Sequence, residues 1–180
     1  MSSNVKSPPT VTKGRSILIQ RRSFSSFVMS GAGLWQFSGS AKTAPDVTFT
    51  SLTGQKITTQ ELRGKVVLVK FWATSCVTCI QQMPDMITTY NELAPRGYEA
   101  IAVAMQYDPP NYVVNYAESR KLPFTVAIDA QGELAKAFGD VQLTPTAFLL
   151  DKQGHIIKRY LGNYDKAAFV STVEKALAAS

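Results

Sequence analysis

Two cysteines, Cys76 and Cys79, are the whole thiol content of this 180-residue chain. Three positions apart, they can close a small disulfide ring. One can attack a partner disulfide as thiolate while the other resolves the mixed disulfide that results. That chemistry is a redox-active dithiol. A structural zinc site would need two further Cys or His ligands, and His155 is the single histidine. A static staple is a weak alternative, because the stabilisation a disulfide gives grows with the loop it closes and this loop is short.

The elements that must position the pair are legible around it. Val66-Val67-Leu68-Val69-Lys70-Phe71-Trp72 is an apolar run of strand length, as expected for a central strand covered on both faces. Ala73-Thr74-Ser75 then reads as a tight turn, with Thr74 and Ser75 as N-cap candidates for a helix. Cys76 falls in the exposed first turn of that helix and Cys79 one turn further in. Unpaired N–H groups give a helix N-terminus partial positive charge, so a thiol there ionises more readily than a free one of pKa about 8.5. Pro84 lies inside the helix and predicts a kink. The apolar pattern resumes at Met86, Ile87, Tyr90 and Leu93 and stops at Pro95 and Gly97.

The rest of the body alternates. Val47 to Leu52 and Lys56 to Thr58 read as two strands about the Thr53-Gly54 turn. Thr59 to Leu62 reads as one helical turn ended at Gly64. Tyr98 to Met105 and Phe124 to Ile128 are core strands, separated by a helix opening at Asp108-Pro109-Pro110. A short helix follows from Glu133 to Phe138. Thr146 to Leu150 and Ile156 to Leu161 flank Asp151-Lys152-Gln153-Gly154 as a hairpin, and Asp165 caps a last helix. This order predicts an α/β sandwich: a mixed central sheet flanked by helices, in one domain over residues 42–180.

Charge and composition separate an arm from that body. Residues 1–41 carry Lys6, Lys13, Arg15, Arg21 and Arg22 and no acid, whereas the remaining 14 basic and 13 acidic residues nearly cancel. The net charge of +6 therefore belongs to the arm and does not point to nucleic-acid binding. Gln20-Arg21-Arg22-Ser23-Phe24, followed by a mildly apolar stretch to Phe37, is similar to a twin-arginine export signal, and Gly39-Ser40-Ala41 offers a cleavage point after Ala41. A basic, acid-free, Ser-containing transit peptide is the alternative, and an upstream start-site artefact would account for the residues before Gln20. The stretch is short and diluted beside the ~20 apolar residues that a membrane span needs, so membrane attachment is expected only if the segment is retained. An oxidising compartment suits a chain with a redox pair and no spare thiol.

Phe71-Trp72-Ala73-Thr74-Ser75-Cys76-Val77-Thr78-Cys79 and Leu143-Thr144-Pro145-Thr146-Ala147-Phe148-Leu149-Leu150-Asp151-Lys152-Gln153-Gly154 together resemble the thioredoxin fold, more narrowly the exported TlpA/ResA-like thiol–disulfide oxidoreductases. The resemblance covers about residues 45–179. It implies that Cys76 attacks, that Cys79 resolves, and that the two form a redox-active disulfide. It implies a cis bond at Thr144-Pro145, facing the cysteines so that the Thr144 backbone pairs with an extended substrate segment, and it makes Trp72 both core and active-site wall. Tyr98 to Phe138 matches the inserted strand and helix of this branch. The implied setting is the periplasm, the implied partners are protein thiols or disulfides and a redox partner protein, and cofactors and metals are not needed. A reductase-type role in cytochrome c or metal-centre maturation follows from the same resemblance.

Three positions depart from the family pattern. Ser75 replaces a Trp, Lys70 stands where thioredoxin has a buried acid, and Gln82 stands where many TlpA/ResA-like proteins have Glu. Gln82 cannot accept a proton from Cys79, and a charged Lys70 cannot either. Instead, Lys70 near the pair favours thiolate, which makes a dithiol more oxidising, unless it snorkels away from the sulfur atoms. Lys70 and Gln82 are thus candidates for pKa tuning. Copper delivery on two soft thiolates remains an alternative, although His155 does not match the His that related chaperones use. A thiol peroxidase is another, with Thr-x-x-Cys a partial match. Tyr107, Tyr112 and Tyr116 read as packing, and His155 as a hairpin residue.

Overall fold

The computed structural model describes residues 42–179, so the export-type segment and its cleavage point at Ala41 lie outside the described residues. Its centre is β3 (Val66–Trp72), every residue of which is buried. β3 runs parallel to β4 (Tyr98–Ala104) and antiparallel to β6 (Thr146–Leu150). β5 (Thr125–Ile128) extends the sheet parallel to β4, and β7 (Ile156–Leu161) closes the other edge antiparallel to β6. The order β5-β4-β3-β6-β7 is the mixed sheet expected. β1 (Thr48–Thr50) and β2 (Lys56–Thr58) form a separate hairpin, shorter in its first strand than the apolar pattern suggested.

Alternation along β3 divides the core between the two faces of the sheet. Val66, Leu68 and Trp72 pack with buried residues of α1 (Val77–Leu93), α2 (Pro110–Ser119) and α4 (Lys166–Ala178). Val67, Val69 and Phe71 pack with Phe49, Ala135, Phe138 and Phe148 on the side of the hairpin and of α3 (Glu133–Ala137). Among the described residues, no helix is long and apolar enough to cross a membrane.

α1 carries the stripe that a one-sided helix needs. Cys79, Gln82, Met83, Met86, Thr89 and Leu93 are its buried residues. It runs as one helix through Pro84, and Thr88 Oγ1 donates to the Pro84 carbonyl at 3.0 Å. A 3₁₀ turn at Ala94–Arg96 ends it, with Gly97 left-handed at φ 96°. At the other end the cap is Cys76 and not Thr74 or Ser75. Cys76 Sγ accepts from the Cys79 amide at 3.2 Å, while the Thr74 amide and hydroxyl donate to Asp108. The expected helical turn at Thr59 to Leu62 is a plain turn, with Glu61 bonded back to the Thr58 amide and hydroxyl. Asp165 caps α4 as the sequence suggests, accepting from the Ala168 amide at 2.7 Å.

Candidate active site

Cys76 and Cys79 form a disulfide, with their Cα atoms 5.2 Å apart. Cys79 has no exposed surface, whereas Cys76 is partly exposed between exposed Ser75 and Val77. A partner can therefore reach only the first sulfur. β3 delivers the chain from the core, Ala73 to Cys76 close a turn through the Cys76 amide and the Ala73 carbonyl at 3.1 Å, and the first bond of α1 runs from Ile80 to the Cys76 carbonyl. The Sγ of Cys76 lies at the positive end of a 17-residue helix and already accepts one of its free amides.

The turn is held from outside its own sequence. Asp108 is 3% exposed, and its carboxylate accepts from the Thr74 amide at 2.6 Å and from the Thr74 hydroxyl. The sequence reading missed this residue. Asp108-Pro109-Pro110 signalled a helix start, but Pro109 is the cap of α2 and the Asp side chain reaches 34 positions back. Hydrogen bonds to a charged group contribute about 1.5–3 kcal/mol each. Asp108→Ala is expected to destabilise the oxidised protein by about 2–3 kcal/mol in urea unfolding and to slow disulfide exchange. Asp108→Asn, which keeps one acceptor, should fall in between.

Thr144-Pro145 is a cis peptide. Phe71 pairs with Thr146, so continuing that antiparallel register sets buried Pro145 beside Trp72, at the end of β3 that feeds the cysteine turn. Thr144 is partly exposed, and its hydroxyl is 3.3 Å from the Tyr107 hydroxyl. Trp72 has no exposed surface and packs on Tyr116 with ring centroids 5.4 Å apart. It backs the site from beneath and offers no wall to a partner. Besides Ile157 and Leu161 on β7, the exposed large apolar groups are Val77 after Cys76, Leu143 before Thr144, Tyr107, and Tyr112, which shares a cleft with Thr74 and Ser75. Of the three tyrosines read as packing, only Tyr116 fits that description. His155 sits at the hairpin as expected, its Nδ1 3.1 Å from Asp151 Oδ2.

Lys70 lies on the same face of β3 as Trp72 and is fully buried, which removes the snorkelling alternative. The room for it comes from Ala102 on β4 and Ala147 on β6, its two cross-strand neighbours. Its Nζ donates to Gln82 Oε1 at 2.8 Å and stands 5.9 Å from the Tyr164 ring centroid. Gln82 Nε2 in turn donates to the Gly162 carbonyl at 3.2 Å and to Asn163 Oδ1 at 3.0 Å, and the Gly162 amide donates to the Pro145 carbonyl at 2.8 Å. Desolvation pulls the Lys70 ammonium from its ordinary 10.5 down to about 7, against a smaller opposing pull from Asp85. The charged group expected at Lys70 is therefore an amine whose hold on its proton is weakened by burial.

The redoxin family model matches residues 39–177 of this chain. The chain belongs to the redoxin family. Among curated relatives it is 36% identical to the thiol-disulfide oxidoreductase ResA of Bacillus thuringiensis subsp. konkukian over 135 residues, covering 74% of this chain and 76% of that one. It is 36% identical to ResA of Geobacillus thermodenitrificans over 124 residues, covering 69% and 70%. Among solved structures, a thiol:disulfide interchange protein of the thioredoxin family from Chlorobium tepidum superposes with a TM-score of 0.70 at 29% identity, over 77% of this chain and 97% of that one. This redoxin is thus a ResA-like thiol–disulfide oxidoreductase with a thioredoxin-like fold, as the two motifs implied.

Proposed function

We propose that this redoxin exchanges disulfides with protein partners through Cys76 and Cys79, in an exported, periplasmic setting and in a reductase-type role such as cytochrome c or metal-centre maturation. The observation that carries the reading is the asymmetry of the pair: Cys76 is accessible at a helix N-terminus, and Cys79 is sealed behind it. Cys76 thiolate attacks a partner disulfide, the Cys76–partner bond forms, and the partner's second sulfur leaves as thiolate. Cys79 then attacks Cys76 Sγ, the internal disulfide closes, and the partner departs reduced by two electrons. Oxidised Cys76–Cys79 is recharged by a redox partner protein. An extended segment of the partner pairs with the backbone at Thr144, beside Pro145. Val77, Tyr107, Tyr112 and Leu143 around the turn support a macromolecular partner, because exposed apolar groups gathered about one reactive atom suit a docking face. The arginine pair in residues 1–41 supports export.

Equilibrating the full chain with glutathione redox buffers and counting thiols tests the reading. A single reversible two-electron transition is expected, at a potential less reducing than the about −270 mV of thioredoxin, because the ammonium form of Lys70 favours thiolate and neutral Gln82 brings no negative charge to oppose it. A value at or below thioredoxin's would overturn the tuning by Lys70. Absence of a reversible transition would overturn the exchange itself.

A further inference from the structure

Cys76 sits between two flanks of β3. β6, which follows Thr144-Pro145, borders β3 on one side, and β4, which leads to α2, borders it on the other. On the α2 side two cavities, of about 560 and 370 Å³, share Tyr116 as a common wall. The first opens at Thr74 and Ser75, directly before Cys76, and reaches Tyr112. The second lies between Ile80, Pro84 and Ile87 of α1 and Arg120 at the end of α2. Tyr112, Tyr116 and Arg120 follow one another at four-residue steps, and Ile80, Pro84 and Ile87 at steps of four and three, so each set lies along one side of its helix. The two cavities therefore make one groove that begins beside the accessible sulfur and follows α1 away from it.

The groove has the chemistry of a peptide site. Ile80 and Ile87 are partly buried, Pro84 is exposed, and none of the residues lining either cavity is acidic. Trp72 backs Tyr116 with ring centroids 5.4 Å apart, so the shared wall is supported from the core. Pro84 has no N–H to give the Ile80 carbonyl, which leaves a backbone acceptor on α1 for a partner's amide. At the far end, the exposed Arg120 guanidinium lies over the Tyr116 ring, 5.8 Å from its centroid. Among the described residues it has no carboxylate partner. Its contact with the ring leaves the N–H fork available to one. From Tyr112 to Arg120 the helical rise gives about 12 Å, which an extended chain covers in about four residues.

We propose that the α1–α2 groove receives the extended segment flanking the reacting cysteine of a protein partner, and that Arg120 selects partners with an acidic side chain about four to six residues from that cysteine. This rests on the exchange reading above and adds what the site recognises. The segment pairs at Thr144 on the β6 side, crosses Cys76 and enters the groove on the β4 side. Apolar side chains lie against Ile80, Pro84 and Ile87, and the carboxylate meets Arg120.

Peptides with one cysteine held as a mixed disulfide with glutathione test this. Each carries leucine close to the cysteine and Glu, Gln or Lys roughly five residues from it, on the N-terminal side in one series and on the C-terminal side in the other. Reduced full-length protein is mixed with each, quenched in acid, and the loss of mixed disulfide is followed by mass spectrometry. In one series the Glu peptide should be consumed about 5-fold faster than the Gln peptide, the upper end for an exposed ion pair, and the Lys peptide slowest. High salt should shrink the difference. Arg120→Glu changes an exposed side chain past the end of α2, so folding is not at stake, and it should reverse the order of the Glu and Lys peptides. A merely structural role for Arg120 would not tie the rate to the partner's charge. Equal rates for the three peptides in both series, or a Glu preference that survives in Arg120→Glu, would overturn the proposal while leaving the exchange reading intact. A wild type that consumes none of the peptides would overturn both.

Discussion

Cys76→Ser is expected to lose disulfide exchange below detection, and Cys79→Ser to complete the first attack and stop at a stable mixed disulfide. The chain has no third thiol to substitute for either. A serine hydroxyl at neutral pH is not a useful nucleophile, and the helix N-terminus that favours a thiolate cannot lower a hydroxyl far enough to ionise it. Cys79 cannot stand in for Cys76, because it has no exposed surface from which to meet a partner disulfide. The converse loss is partial. With Cys79 replaced, Cys76 keeps its place at the cap and the attack proceeds, but the internal sulfur that would release the partner is missing. Glutathione release assays and trapped-adduct masses check both. Equal residual activity in the two variants would show that the cysteines are interchangeable, against the burial difference between them.

The second large effect is on stability. Lys70 binds its proton less tightly folded than unfolded, with values of about 7 and 10.5. At pH 6 the group is protonated in both states, and the folded protein carries the full penalty of a desolvated ammonium. Between about 7 and 10.5 the unfolded chain holds the proton and the folded one has released it, so stability rises with pH across that window. The slope from this group is at most about 1.4 kcal/mol per pH unit. Lys70→Met should therefore gain most on the wild type at pH 6, by a few kcal/mol less the cost of leaving Gln82 Oε1 without its donor, and the gap should shrink as pH approaches 10. Urea unfolding of the disulfide-bonded forms checks this without interference from thiol titration. A gap that does not change with pH would show that burial does not weaken the hold of Lys70 on its proton.

What could be read ahead of the structure followed the range of the forces involved. β3, the β6–β7 hairpin and the Asp165 cap are local: runs of apolar residues, an Asp-Lys-Gln-Gly turn and a side chain three positions from its amide. Cys76 and Cys79 were legible because spacing alone carries their chemistry. The Asp108 anchor was not, because it joins residues 34 apart, and its Asp-Pro-Pro context has a sufficient local explanation. Lys70 was visible as a departure from pattern, but its burial depends on two alanines on strands that only the sheet brings together. The exposure of Tyr112 had no signal, since its helix-like spacing to Tyr116 says nothing about which face meets the core.

Those two alanines also limit how this arrangement can be reached from, or returned to, an acid at the same place. A four-carbon stem with its amine fills the space that Ala102 and Ala147 leave under α1. An aspartate there would be too short to meet Gln82. It would leave a hole along the sheet and a lone carboxylate in apolar surroundings, and either defect alone is worth a few kcal/mol. Exchanging cation for anion is thus a change of shape before it is a change of charge. It would have to pass through a larger neighbour on β4 or β6, so an ancestor or an engineer altering one codon at a time meets a poorly packed intermediate on the way.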